Sequence, residues 1–214
     1  MVAGLPASVV PDPPNPFDAD TETLQVGDLL YRVGSNTRRI DVFNPGMGSP
    51  TRFAFFGRPV VSVLYGADTE DAAVCETLLH DIPASGGLLT ADDYRDRVMG
   101  RIRITKPLKL ARLRGTGLRR LKVESSQLTE TAASEYDKTV AWAAAAHKAG
   151  FDGLSWTSRR CNDARAVALF GDEHRRRTSI EQDITFGRVF ASGDGLDWLI
   201  DMCAPLHVDV MPPN

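Results

Sequence analysis

A chain of 214 residues, 43% hydrophobic and 25% charged, has room for one sizeable core with at most some appendages. A formal net charge of -3 argues against a general binder of nucleic acid or anionic membranes, though a local basic pocket stays open. No apolar run approaches the roughly 18 residues of a bilayer span, and the N-terminus has neither the basic nor the apolar region of a signal peptide.

Residues 1–22 are rich in proline and aspartate without periodicity, and read as an extended arm before a single domain over 23–214. Residues 28–33 read as the first strand, and 34–51 as a loop punctuated by Asn44-Pro45-Gly46 and Gly48-Ser49-Pro50. Strands are predicted over 52–56 and 60–65, the second apolar enough for burial on both faces. Thr69 caps a helix predicted to run to about Asp81, with Glu70 and Asp71 in its first turn and Glu76 in its middle.

Thr90 and Asp93 suggest a second, short helix. Residues 101–105 alternate as a half-exposed strand, 108–113 read as another, and 114–128 are irregular. The clearest helix spans 132–149 and is closed by Gly150. Strands follow at 153–156, 166–170 and 183–190, with a short final one near 207–210. Intermixed strands and short helices define an α+β chain with a mixed or antiparallel sheet core and flanking helices.

The chemistry-bearing residues each have a plain structural reading. Glu76 sits among alanines, a cysteine and leucines, where an isolated charge is costly; the small Ala72 and Ala73 one turn back leave room above it. It is equally a surface glutamate or a partner of His80. Arg32 and Arg52 lie on apolar strands, where arginine is usually an edge residue, yet together they suit a phosphate fork. Tyr65 is a core aromatic or a ring that stacks on a flat ligand. Ser158 lacks the G-x-S-x-G elbow of a hydrolase nucleophile. His80, His147, His174 and His207 show no metal spacing, and Cys75, Cys161 and Cys203 show none either, which fits a reducing cytoplasm. The basic run His174 to Arg177 reads as a solvated loop.

Five segments taken in order resemble the RES-domain family, the toxin half of many bacterial toxin–antitoxin pairs. They are Leu30-Tyr31-Arg32-Val33; Thr51-Arg52-Phe53; Val63-Leu64-Tyr65 with residues 72–76; Phe151-Asp152-Gly153-Leu154-Ser155-Trp156-Thr157-Ser158; and Val167-Ala168-Leu169-Phe170. Thr51 stands where a glycine is usual, and Trp156-Thr157 where Tyr-Pro is common. The resemblance implies an ADP-ribosyltransferase-like RES fold and a cytoplasmic enzyme that uses NAD+ as substrate without a metal. It implies cleavage of the nicotinamide–ribose bond by hydrolysis or phosphorolysis; the alternatives are ADP-ribosylation of a protein and a non-catalytic binding module. Glu76, Arg32 and Tyr65 are then the catalytic residues, and Arg52, Ser158, Tyr31 and Trp156 bind substrate, with Ser155 the competitor for the family serine. The partners implied are NAD+, phosphate as an acceptor and an Xre-type helix-turn-helix antitoxin; a homo-oligomer is compatible, and nucleic acid is disfavoured for this chain alone.

Overall fold

In the computed structural model, which describes residues 9–213, eight strands form one mixed sheet in the order β1-β6-β7-β8-β3-β2-β5-β9. The strands are β1 (Thr21–Leu24), β2 (Leu29–Ser35), β3 (Val63–Ala67), β5 (Arg97–Ile104), β6 (Leu108–Leu113), β7 (Gly153–Thr157), β8 (Arg165–Phe170) and β9 (Ile180–Val189). Only β6 and β7 run parallel; the other neighbours are antiparallel. A separate parallel pair joins β4 (Gly87–Leu89) to β10 (Val208–Val210).

The sheet parts at one seam. Strands β2 and β3 share a single register pair, Tyr31↔Ala67, whereas β2 and β5 are paired from Leu29↔Arg103 to Ser35↔Arg97. Beyond Tyr31 the two strands diverge, and the side chains that follow it on β2 border a cavity instead of a neighbour strand. Ile40 secures the β2–β5 side. A Cβ on Gly34 would lie 2.9 Å from its side chain and one on Gly100 3.0 Å, so two glycines admit the 36–43 loop onto the sheet.

Helix α5 (Tyr136–Lys148) covers one side, burying Trp142 against Phe17 and the Phe151 region. Fully burying such a side chain contributes about 1.5–3 kcal/mol. The indole Nε1 donates to Pro11 O at 2.8 Å, which ties the described part of the N-terminal segment to the helix; residues 1–8 of the expected arm lie outside the described residues. Glu22, on β1, binds the sheet across four strands: it accepts from Arg114 (2.7 Å) after β6, Ser155 (2.6 Å) on β7 and Arg165 (2.8 Å) on β8. Burial alone would raise its carboxyl, but these hydrogen bonds hold it down at about 2.

Several expectations are corrected. Helix α1 spans only Glu70–Cys75 and Glu76 is its C-cap, because the next amides, Thr77, Leu78 and Leu79, all turn back onto Val74 O. Thr69 does cap it, accepting from Ala72 N at 3.1 Å. Residues 52–56 form no strand. Gly57, at φ +86°, and Pro59 force a tight loop, leaving isolated bridges Thr51↔Ala54 and Phe56↔Val61 while Phe53 and Phe56 plug the core. Strand β3 therefore begins later, and Tyr65 is at its centre. The 114–128 stretch holds two short helices, α3 (Thr116–Arg120) and α4 (Ser125–Leu128). Helix α2 (Ala91–Tyr94) forms at the Thr90–Asp93 capping box.

The 174–177 stretch is a short helix, α6 (His174–Arg177), and not a solvated loop. Its Arg176 is 4% exposed and bound to Asp152 at 2.9 Å and Asp172 at 2.8 Å, so the guanidinium is a buried clasp. An unanticipated helix, α7 (Gly193–Cys203), buries Leu199 and Cys203; a Cβ at Gly195 would fall 2.1 Å from Val189 O, so its glycines serve close packing as well as turning. Among the described residues no helix is long and apolar enough to cross a membrane.

Candidate active site

The seam between β2 and β3 opens into a cavity of about 510 Å3. Tyr31 and Arg32 border it from β2, Tyr65 from β3, Glu76 from the end of α1, Trp156 from β7, and Arg52 from the 51–54 turn. Six of the seven residues singled out in the sequence thus border one space, although they span some 125 positions of the chain.

The seventh, Ser158, lies behind Glu76. Its hydroxyl donates to Glu76 Oε1 at 2.6 Å and accepts from Cys161 N at 3.1 Å. Its own amide donates to Ala164 O at 2.9 Å, and the residue is fully buried. The serine therefore has one rotamer fixed from three sides, and it fixes the carboxylate in turn. Ser155 belongs elsewhere, in the Glu22 cluster. Among the described residues Glu76 has no ion-pair partner, and His80 contacts Asp81 at 2.9 Å instead. A half-buried carboxylate that is oriented by a hydroxyl, with no cation in ion-pair contact among the described residues, can stabilise positive charge in the cavity.

Arg52 is held by α5. Its guanidinium donates to Thr131 O at 3.2 Å and lies 5.5 Å from the Tyr136 ring centroid; the buried Thr139 hydroxyl donates to Arg52 O. Arg52 Nε is buried with no hydrogen-bond partner among the described residues, so donor capacity remains for a ligand. Arg32 is placed by the 36–43 loop, donating from Nη1 to Ile40 O and Val42 O, each at 2.9 Å. Burial pushes its pKa down to about 10, with the Asp41 charge opposing the shift. Neither arginine has an ion-pair partner among the described residues.

Tyr65 is a strut. Its hydroxyl shares a 2.9 Å hydrogen bond with Thr51 Oγ1 and accepts from Phe53 N at 3.1 Å, pinning the turn that carries Arg52. Burial pushes the phenol up to about 12, so it stays neutral. Trp156, 2% exposed, meets Tyr65 and Phe53 edge to face at 6.1 and 5.1 Å, and its Nε1 is buried without a hydrogen-bond partner among the described residues. Tyr31 packs edge to face with Phe186 at 5.4 Å. Cysteine chemistry is disfavoured: burial pushes Cys75 up to about 11, Cys161 to about 12 and Cys203 to about 11, leaving neutral thiols. Among the described residues no cluster of His, Cys, Asp and Glu has the arrangement of a metal site.

Sequence reasoning missed other residues around the cavity, notably His80, Asp81, Arg97 and Tyr136. Two side chambers adjoin it. One of about 150 Å3 is bordered by Arg52, Glu76, Tyr136, Arg159 and Arg160. The other, of about 320 Å3, lies beyond Arg32.

A mixed sheet split at a seam, with a serine-oriented glutamate and two arginines around the opening, defines the candidate site on an α+β scaffold. A chain of the crystal structure of the M. tuberculosis MbcT–MbcA toxin–antitoxin complex has a similar fold, at TM-score 0.57 and 16% identity, covering 77% of this chain and 85% of that one. The sequence model of the RES domain matches residues 29–189, and the chain belongs to the RES domain family. A comparison with curated proteins finds no match.

Proposed function

We propose that this protein is the toxin of a toxin–antitoxin pair and consumes NAD+ by breaking the nicotinamide–ribose bond. The observation that carries the reading is the Glu76 carboxylate, held by Ser158 at 2.6 Å and bordering a cavity that Arg32 and Arg52 also border. Family membership and a structural neighbour solved as a toxin–antitoxin complex support it. They also support an antitoxin partner, for which a helix-turn-helix protein of Xre type remains the expectation.

The chemistry follows from the charges. Nicotinamide is a pyridinium cation while bonded to ribose and leaves as a neutral molecule with the electron pair of the C–N bond, so the departing group needs no strong general acid. The ribose passes through an oxocarbenium-like state, as in glycoside hydrolysis. Glu76 stabilises that developing positive charge and holds the ribose hydroxyls; Ser158 keeps the carboxylate in place, so little reorganisation is needed at the moment of reaction. Arg32 and Arg52 bind the pyrophosphate oxygens. Tyr31, Tyr65 and Trp156 wall the flat ring. The acceptor, water or inorganic phosphate, comes from the small chamber beside Glu76, where Arg52, Arg159 and Arg160 offset the carboxylates of Glu76 and Asp81.

The test is incubation of the purified protein with NAD+, with and without phosphate, and identification of products by mass spectrometry. Nicotinamide with ADP-ribose marks hydrolysis; nicotinamide with a phosphorylated ADP-ribose that appears only with phosphate marks phosphorolysis. Intact NAD+ under both conditions contradicts the reading.

A further inference from the structure

The chamber beyond Arg32 carries more positive charge than a pyrophosphate alone requires. Its walls hold Arg32, Arg38, Arg39 and Arg97, with Ser35 and Thr37 beside them, and among the described residues no carboxylate borders it. Arg39 is neutralised by Asp41, with contacts of 3.0 and 2.7 Å. Arg38 and Arg97 have no ion-pair partner among the described residues. The two hydroxyls, 2.8 Å apart, add polar groups suited to an oxyanion. Val42 and Phe43 provide an apolar wall in the same chamber. Arg38 and Arg97, gathered with Arg32 at one concavity and without an ion pair of their own among the described residues, repel one another and attract an anion.

The chamber adjoins the main cavity, since Arg32, Val33, Asn44 and Arg97 border both. A dinucleotide with its nicotinamide ribose at Glu76 and its pyrophosphate at Arg32 projects its adenosine end into this space. The pyrophosphate is matched by Arg32 and Arg52, so Arg38 and Arg97 are left over. On that end the further anionic group a dinucleotide can carry is a phosphomonoester on the ribose.

We propose that the Arg38–Arg97 chamber is a subsite for a ribose 2′-phosphate, which extends the substrate class to the 2′-phosphorylated dinucleotide, NADP+. The inference rests on the reading of the main cavity given above. A dianion between two guanidinium groups is well matched, and arginine binds phosphate with planar, multi-dentate geometry. Arg38 is exposed and borders only the side chamber, so its replacement leaves the main cavity and the fold intact.

Calorimetric titration with adenosine 2′,5′-bisphosphate, adenosine 5′-monophosphate and inorganic phosphate, alongside NAD+ turnover, tests it. The bisphosphate is expected to bind at least tenfold more tightly than the monophosphate. Arg38→Glu is expected to remove that difference, with a melting temperature close to that of the parent. Equal affinities for the two nucleotides, with NAD+ still consumed, overturn the subsite and leave the main reading standing. Inorganic phosphate binding as tightly as the bisphosphate, and lost in Arg38→Glu, makes the chamber a free-phosphate site and also overturns it. No turnover and no binding of either nucleotide remove the cavity reading, and the subsite with it.

Discussion

Ser158 Oγ lies 2.6 Å from Glu76 Oε1, and the two residues are 82 positions apart in the chain. The serine follows β7 directly and the glutamate ends α1, so the hydrogen bond ties the segment after β7 to the cavity wall that carries Glu76. Its direction matters. The hydroxyl is already accepting from Cys161 N, so its proton is free to be given to the carboxylate.

Removing that proton misplaces the carboxylate without removing it. Ser158→Ala is expected to lower kcat for NAD+ consumption on the order of 100-fold, because misplacement of a charged group costs about that much. It also leaves Cys161 N without its acceptor, with a stability loss of about 1–3 kcal/mol. Steady-state kinetics and denaturant titration on the same preparation separate the two effects. Unchanged kcat in a well-folded variant removes the positioning role.

Tyr65→Phe addresses the turn that carries Arg52. The variant keeps the ring and deletes the hydroxyl that holds Thr51 Oγ1 and Phe53 N. The expected result is a loss of about 1–3 kcal/mol in stability and a rise in KM for NAD+ larger than the fall in kcat. A large kcat loss at constant KM would instead assign the phenol a direct part in the chemistry.

Glu22 makes stability depend on acid. Its folded pKa, at about 2, lies below the ordinary value of 4.5, so the folded state gains from the ionised carboxylate. That gain is complete above about pH 4.5 and is lost as pH falls toward 2. It amounts to about 2 kcal/mol once solvent screening is allowed for. Glu22→Gln is expected to be less stable at pH 7 and to have a flatter acid limb between pH 4.5 and 2, read by urea denaturation at each pH. Parallel acid limbs for parent and variant would refute the assignment.

How far the sequence revealed the site depends on where each residue sits. Arg32, Tyr65, Trp156 and Glu76 belong to or directly end regular elements, whose apolar patterns frame an out-of-place polar group. His80, Arg159 and Arg160 come from irregular loops, and their position depends on how those loops fold back; the Arg160 guanidinium, for example, donates to His80 O at 2.8 Å across 80 residues. The burial of Arg176 has no local signal: Asp172 is four residues away, but the buried counter-ion Asp152 is remote in the chain and only the fold brings it to the guanidinium. The glycines at the start of α7 mask it in the sequence, although Leu196, Leu199 and Cys203 carry a helical spacing. The early end of α1 had no local signal beyond Pro83, because the turns after Cys75 are set by Val74 O accepting three amides.

The most direct measurement is NAD+ turnover by Glu76→Gln, which keeps the side chain's shape and its hydrogen bond from Ser158 while removing the negative charge. Turnover is expected to fall by at least about 1,000-fold, as for loss of a principal electrostatic group, with the melting temperature close to that of the parent. A folded Glu76→Gln protein that consumes NAD+ as fast as the parent would contradict the assignment of Glu76 as the group that stabilises the ribose cation.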